Sequence, residues 1–212
     1  DLIFPLFLFI VGVCMPFSIT KRLDRGDSRL DLYRHIFMRT LVLFAFGLLF
    51  NGILKFEFDS TRYLGVLQRI ALCYLGAALI VMNFRMKGQA AWAAVILMVY
   101  WAVMKLVPVP GFGPGVLTPE GNLAAYIDQL LLPGRFCCYE FGDSEGLLST
   151  LPAVSTTLLG VLCGHWLRTT QSASRKVQGL FVAGVASTFI AYGWHQVFPI
   201  NKVIWTSSYV LF

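Results

Sequence analysis

The chain has 212 residues, 57% of them hydrophobic and 13% charged, with a mean hydropathy of +0.70. A soluble domain keeps about a quarter of its residues charged, so half that share excludes an ordinary soluble fold and points to lipid as the solvent. The formal charge of +6 would suit nucleic acid, but the cations fall in short loops between apolar runs, which excludes a polyanion-binding surface and fits membrane orientation.

A transmembrane helix needs about 20 mostly apolar residues. The first such run, 2–19, opens directly after Asp1, without a leader or cleavage pattern, and suggests an internal piece of a longer polytopic protein. A basic loop follows, "KRLDRGDSRLDLYRH", and then the runs 37–54 and 63–84. The turn "RMKGQ" leads into the run 89–108. Loop 109–146 is the one region with soluble character: "GFGPG" is a turn cluster, and "TPEGNLAAYIDQLLLP" offers Thr118 as N-cap, Pro119 at the first helical position and Glu120 in the first turn. Leu123, Tyr126, Ile127, Leu130 and Leu131 share one face of that helix, which predicts an amphipathic helix on the outer membrane surface. Runs 147–167 and 177–196 complete six spans, and a seventh begins near Val203 and reaches 212. The predicted fold is an all-α polytopic membrane protein with one domain over 1–212.

Loop charge gives the direction. Lys21, Arg22, Arg25, Arg29, Arg34, Arg85, Lys87, Arg168, Arg175 and Lys176 lie on one side, against Lys55, Arg62, Lys105, Arg135 and Lys202 on the other. The positive excess places the first set in the cytoplasm and loop 109–146 outside. Cys14, Cys73 and Cys163 sit singly in apolar runs as small hydrophobes, whereas Cys137 and Cys138 are adjacent in a polar loop, as a disulfide or as two free thiols. Gly160 and Gly164 form a GxxxG pair that suits ordinary helix packing or a homodimer interface, with packing the simpler reading.

One residue does not fit a lipid-facing helix. Arg69, with Gln68 beside it, lies six residues past Tyr63, or ~9 Å below the outer entry of its span. A guanidinium at depth costs roughly 2.5–3.5 kcal/mol and cannot escape by losing its proton. It is therefore expected to face the bundle interior, to line a wet chamber open to the outer side, and to neutralise an anion. Asp1 and Glu145 are the nearest carboxylates by depth, and a ligand oxyanion is the other option. Asn201, Lys202 and His195 also reach that level. His195 suits an interfacial belt, and His35 and His165 suit headgroup contact. Ser155, Thr156, Thr157, Thr206, Ser207 and Ser208 are expected to bond to carbonyls of their own helices. No nucleophile elbow, phosphate-binding glycine loop, HExxH or paired CxxC appears, so the residues alone lead to a polytopic protein with a polar pocket near its outer face.

Five strings carry a resemblance: "DLIFPLFLFIVGVCMPFS" (1–18), "LGVLQRIALCY" (64–74), "GNLAAYIDQLLLPG" (121–134), "EGLLSTLPAVSTTLLG" (145–160) and "FPINKVIWTSSYVL" (198–211). They occur in the order seen in the heparan-alpha-glucosaminide N-acetyltransferase family, and the chain resembles its bacterial members. The resemblance implies a bundle of about eleven spans in a bacterial inner membrane, of which this chain carries the second to the start of the eighth. It implies acetyl-CoA as co-substrate from the cytoplasmic side, no metal, and an amino-sugar acceptor on the periplasmic side. The family's presumed catalytic histidine precedes the "DLIFP" motif, so it lies upstream of Asp1, and the piece alone is expected to be inactive. The residues carried over are Asp1, Arg69 and Glu145 as catalytic, and Gln68, Asn201 and Lys202 as binding acetyl-CoA or sugar. The usual "DPEG" of the family reads "DSEG" here, with Ser144 for proline. The expected partners are the lipid bilayer and the acceptor, with a homodimer as a further option. Two rival readings are a transporter for a sugar or small anion, against which the lack of an internal repeat counts, and a silent scaffold.

Overall fold

The computed structural model describes residues 2–56 and 61–212. Among them are eight α-helices: α1 Ile3–Asp24, α2 Arg29–Phe50, α3 Val66–Asn83, α4 Met86–Leu106, α5 Leu123–Leu131, α6 Leu147–Leu167, α7 Ala173–His195 and α8 Ser207–Leu211. Two short hairpins decorate the long loop, β1 Pro108–Val109 with β2 Gly113–Pro114 and β3 Cys138–Tyr139 with β4 Gly142–Asp143. Six of the helices, α1–α4, α6 and α7, are long and apolar enough to cross a membrane, so the all-α polytopic fold stands.

The helices are not equivalent. In its most apolar stretch α6 is 67% buried, whereas the corresponding share of α7 is 6%. α6 is thus the central post, and small residues let α1 lie directly on it. A methyl group at Gly12 would strike the Thr157 carbonyl, one at Gly160 the Phe9 carbonyl, and one at Gly164 the Val13 carbonyl. The GxxxG pair is therefore spent on close contact between backbones of the same chain.

Three predicted boundaries move. The basic loop 21–35 is mostly helix: α1 continues to Asp24 and α2 starts at Arg29, leaving a turn at 25–28. Ser28 and Asp31 form a reciprocal capping box there, so hydrogen bonding and not hydropathy starts α2. In the long loop, Thr118 is not the cap. Asn122 caps α5 by accepting from the Ala125 amide at 2.8 Å, and its own amide group donates to the Thr118 and Pro119 carbonyls. α5 buries Leu123, Ala124, Ala125 and Asp128 against the bundle and leaves Leu130 and Leu131 exposed. The third shift concerns the chain after α7, where residues 196–206 are non-helical and α8 starts only at Ser207.

That last segment descends into the bundle. The Ser207 hydroxyl donates to the Leu97 carbonyl at 2.8 Å, and the Tyr100 hydroxyl donates to the Ile204 carbonyl. Leu97 stands near the middle of α4, about 14 Å from its end at 1.5 Å per residue. Irregular backbone at such depth is tolerated only where protein encloses it. Phe198, Ile204, Trp205, Thr206, Ser207 and Ser208 are all buried.

Candidate active site

The end of the bundle bearing loop 107–146 collects the polar groups in two layers. The upper layer is built by stitching two loops together. The Arg135 amide donates to the Thr61 carbonyl at 3.2 Å, and Arg62 and Gly134 form an antiparallel bridge. Gly134 has φ +82° and lies so close to the Thr61 carbonyl that a side chain would collide with it. Asn51, at the end of α2, holds the Arg62 carbonyl from the other side at 2.9 Å. Arg62 is thereby aimed at the "DSEG" turn. Its Nε and NH2 donate to Asp143 at 2.8 and 2.5 Å, and NH2 also donates to Glu145. Burial works against that guanidinium, but the hydrogen bonds and charges of Asp143 and Glu145 outweigh it and hold its pKa above the ordinary value.

Asp143 further accepts from the Cys137 amide at 3.1 Å and the Glu145 amide at 2.9 Å. Cys137 is disulfide-bonded, which settles the alternative left open by the sequence, while Cys14, Cys73 and Cys163 are free. Behind the turn stands Asp128 of α5, accepting from the Leu147 amide at 2.9 Å and the Asp143 amide at 3.3 Å. Leu147 opens α6, so this carboxylate serves a helix N-terminus supplied by another element. Its pKa is pushed up to about 6, chiefly by burial, against those two hydrogen bonds.

The lower layer centres on Arg69. Because α3 begins at Val66, Arg69 lies in the first helical turn, about 5 Å from its start and shallower than the ~9 Å expected. It is 0% exposed. Its NH2 donates to the Gly146 carbonyl at 3.1 Å and to the Ser149 hydroxyl, both at the start of α6. The guanidinium lies over the Trp205 ring at 5.0 Å. Among the described residues, Nε and NH1 are buried without a hydrogen-bond partner, as is Nε2 of the neighbouring Gln68.

Trp205 is itself unusual. Its φ is +51°, a left-handed backbone that costs a bulky residue about 1–3 kcal/mol. Its indole N–H donates to the Thr156 hydroxyl at 3.2 Å, and Phe4 and Tyr209 meet the ring edge-on.

The predicted site residues divide accordingly. Arg69 and Gln68 are together in the lower layer. Glu145 is near them but is bonded to Arg62 and Ser144, so it is not the partner foreseen for Arg69. Asp1 lies outside the described residues. Asn201 folds the turn that carries Trp205: its side chain accepts from the Val203 amide at 2.8 Å, and its amide donates to the Thr206 hydroxyl at 2.9 Å. Lys202 is exposed on that turn. The expected wet chamber around Arg69 is not found: among the described residues Arg69 is sealed, and a cavity of about 320 Å³ beside it is lined by Gln68, Asn51 and Arg62 but not by Arg69 itself.

The histidines are engaged elsewhere. His195 Nδ1 accepts from the Ile200 amide at 2.9 Å, His165 pairs with Gln89 at 3.0 Å, and His35 meets Arg22 at 3.1 Å. Of the hydroxyls, Thr157 bonds within its own helix as expected, to Ala153 at 3.3 Å. Others reach across instead: Ser155 to Ala93, Ser207 to Leu97, and Thr156 as acceptor for Trp205. In a dry interior a hydroxyl facing a neighbouring helix satisfies both. Arg62, Asp143, Asp128, Ser149 and Trp205 escaped the sequence reading as site residues. The "DSEG" spacing, two acids just ahead of a helix start, was the available signal for Asp143; Trp205 offered none.

The profile of the family described as heparan-alpha-glucosaminide N-acetyltransferase, catalytic, matches residues 1–198. The heparan-alpha-glucosaminide N-acetyltransferases of Homo sapiens and Mus musculus are 27% and 28% identical to this chain. Each alignment covers 99% of this chain and 40% of the relative, so the chain spans about 40% of the length of these curated proteins. With its profile matched over nearly the whole length, the chain belongs to the heparan-alpha-glucosaminide N-acetyltransferase catalytic family.

Proposed function

We propose that this chain supplies six spans and the non-cytoplasmic end of the site of a membrane acetyltransferase that moves an acetyl group from acetyl-CoA to the amine of a glucosamine-type sugar on the non-cytoplasmic side. The observation that carries this reading is that Nε and NH1 of the buried Arg69 have no hydrogen-bond partner among the described residues. A guanidinium kept from water and given no carboxylate among the described residues is a donor set held for charge that develops elsewhere.

Acyl transfer to an amine makes such charge. The amine nitrogen attacks the thioester carbonyl carbon, its oxygen becomes an oxyanion, and collapse breaks the C–S bond, the proton lost from the nitrogen passing to the departing sulfur so that CoA leaves as thiol. Arg69 Nε and NH1 stabilise the oxyanion, while Ser149, Gly146 and Trp205 hold the group in place. An ammonium acceptor is unreactive until deprotonated, and Glu145 takes that proton. Arg62 and Ser144 both donate to its Oε2, and among the described residues no bond falls on Oε1. The two carboxylates of the upper layer outnumber Arg62 and favour a cationic acceptor. Trp205 covers the guanidinium, and its strained turn at 201–206 is the element that gives access.

Purified full-length protein in nanodiscs, assayed with radiolabelled acetyl-CoA and glucosamine, tests the reading. Arg69→Gln and Glu145→Gln should each lower kcat by about 10²-fold or more at normal folded yield. Wild-type turnover in both variants would remove these residues from the chemistry.

A further inference from the structure

We infer that the acceptor occupies the cleft between the end of α2 and the start of α3, as a single amino-sugar ring hydrogen-bonded by the Gln68 amide. The inference rests on the acetyltransferase reading and gives it an acceptor subsite.

The cleft is a cavity of about 320 Å³. Small-molecule sites run from about 300 to 1,000 Å³, so this one, at the low end, has room for a single sugar ring. On its floor the Gln68 side chain is 1% exposed, and its Nε2 has no hydrogen-bond partner among the described residues. A buried amide donor left unpaired is costly, and a hydroxyl or ring oxygen of a ligand satisfies it. The backbone around it is cut away to make room. A Cβ at Gly47 would lie 2.5 Å from the Gln68 amide carbon, and one at Gly65 would lie 3.2 Å from its oxygen. The amide is therefore seated in a slot with no freedom to turn elsewhere.

The walls suit a sugar. Phe50 offers an exposed aromatic ring, the surface on which the C–H face of a pyranose packs. Asn51 and Arg62 supply the polar rim, and Arg62 leads directly to Asp143 and Glu145. A ring bonded to Gln68 has its amine on the side of those carboxylates, while Arg69, the next residue along α3, faces the α6 start. The cleft thus joins a neutral hydroxyl-binding floor to an acidic rim, the combination an amino sugar needs.

The test uses full-length protein and glucosamine as the probe. Gln68→Leu keeps the volume and removes the donor; it should raise the acceptor KM about tenfold and leave the acetyl-CoA KM unchanged. Phe50→Ala, at an exposed position, is the second variant should Gln68→Leu not fold, with the same expected split. An unchanged acceptor KM, or a rise confined to acetyl-CoA, overturns the inference. Saturation-transfer NMR with glucosamine separates this result from failure of the acetyltransferase reading. Wild-type binding lost in Gln68→Leu upholds the cleft even when no acetyl is transferred, and binding equal in both proteins overturns it.

Discussion

Two arginines seven positions apart, Arg62 and Arg69, meet opposite fates at the same end of the bundle. Arg62 keeps a fifth of its side chain exposed and bonds two carboxylates. Arg69 is sealed, bonds a carbonyl and a hydroxyl, and among the described residues leaves its Nε and NH1 without partners. A charge that is matched is doing structural service: Arg62 ties the α2–α3 loop to the turn before α6. A charge buried and left partly unmatched adds nothing to stability that a neutral side chain of similar shape would not add. Under the proposed function that charge is held for a bound ligand, and the contrast then separates scaffold from site within one small region.

Replacing each arginine should break the molecule in different ways. The largest effect belongs to Arg69→Gln, about 10²-fold or more in kcat with thermal stability near wild type. Arg62→Ala leaves Asp143 and Glu145 facing each other uncompensated. It should cost about 3–5 kcal/mol, discounted toward the low end because the pair is partly exposed, and thermal unfolding in detergent will show it as a lower Tm. A stable Arg62→Ala protein would contradict the division of roles.

The smaller effect is a pH dependence set by Asp128. Its folded pKa of about 6 lies above the ordinary carboxylate value, so its contribution to stability is complete below about pH 4 and is lost as the pH rises through 6. Asp128→Asn should flatten Tm between pH 4 and 7, removing a slope worth up to about 3 kcal/mol. A wild-type and variant profile of equal slope would assign that dependence to another group.

Much of this was legible in the sequence, for reasons that also mark the limit. The six spans follow from hydropathy alone, because lipid leaves the backbone no other choice. That Gln68, Arg69 and Glu145 gather at one end of the bundle follows from counting residues along helices, though their separation into two layers does not. Partner choice does not. Glu145 goes to Arg62 because Asn51 and the contact at Gly134 fix a loop that no periodicity describes. The descent of 199–206 was hidden because "FPINK" reads as a surface loop, while its burial depends on hydroxyls of Ser207 and Ser208 bonding to Leu97 and Phe198. The helical basic loop was hidden for a simpler reason: a capping box carries no hydropathy signal.

The central claim is that the Arg69 guanidinium is held for a ligand oxyanion. The most direct measurement is the ¹⁵N–¹H resonance of Arg69 Nε in the full-length protein, assigned by loss in Arg69→Lys, followed as a ketone analogue of acetyl-CoA is added. The account predicts a downfield shift and slowed hydrogen exchange at saturation. Saturable binding of the analogue with that resonance unmoved would contradict it.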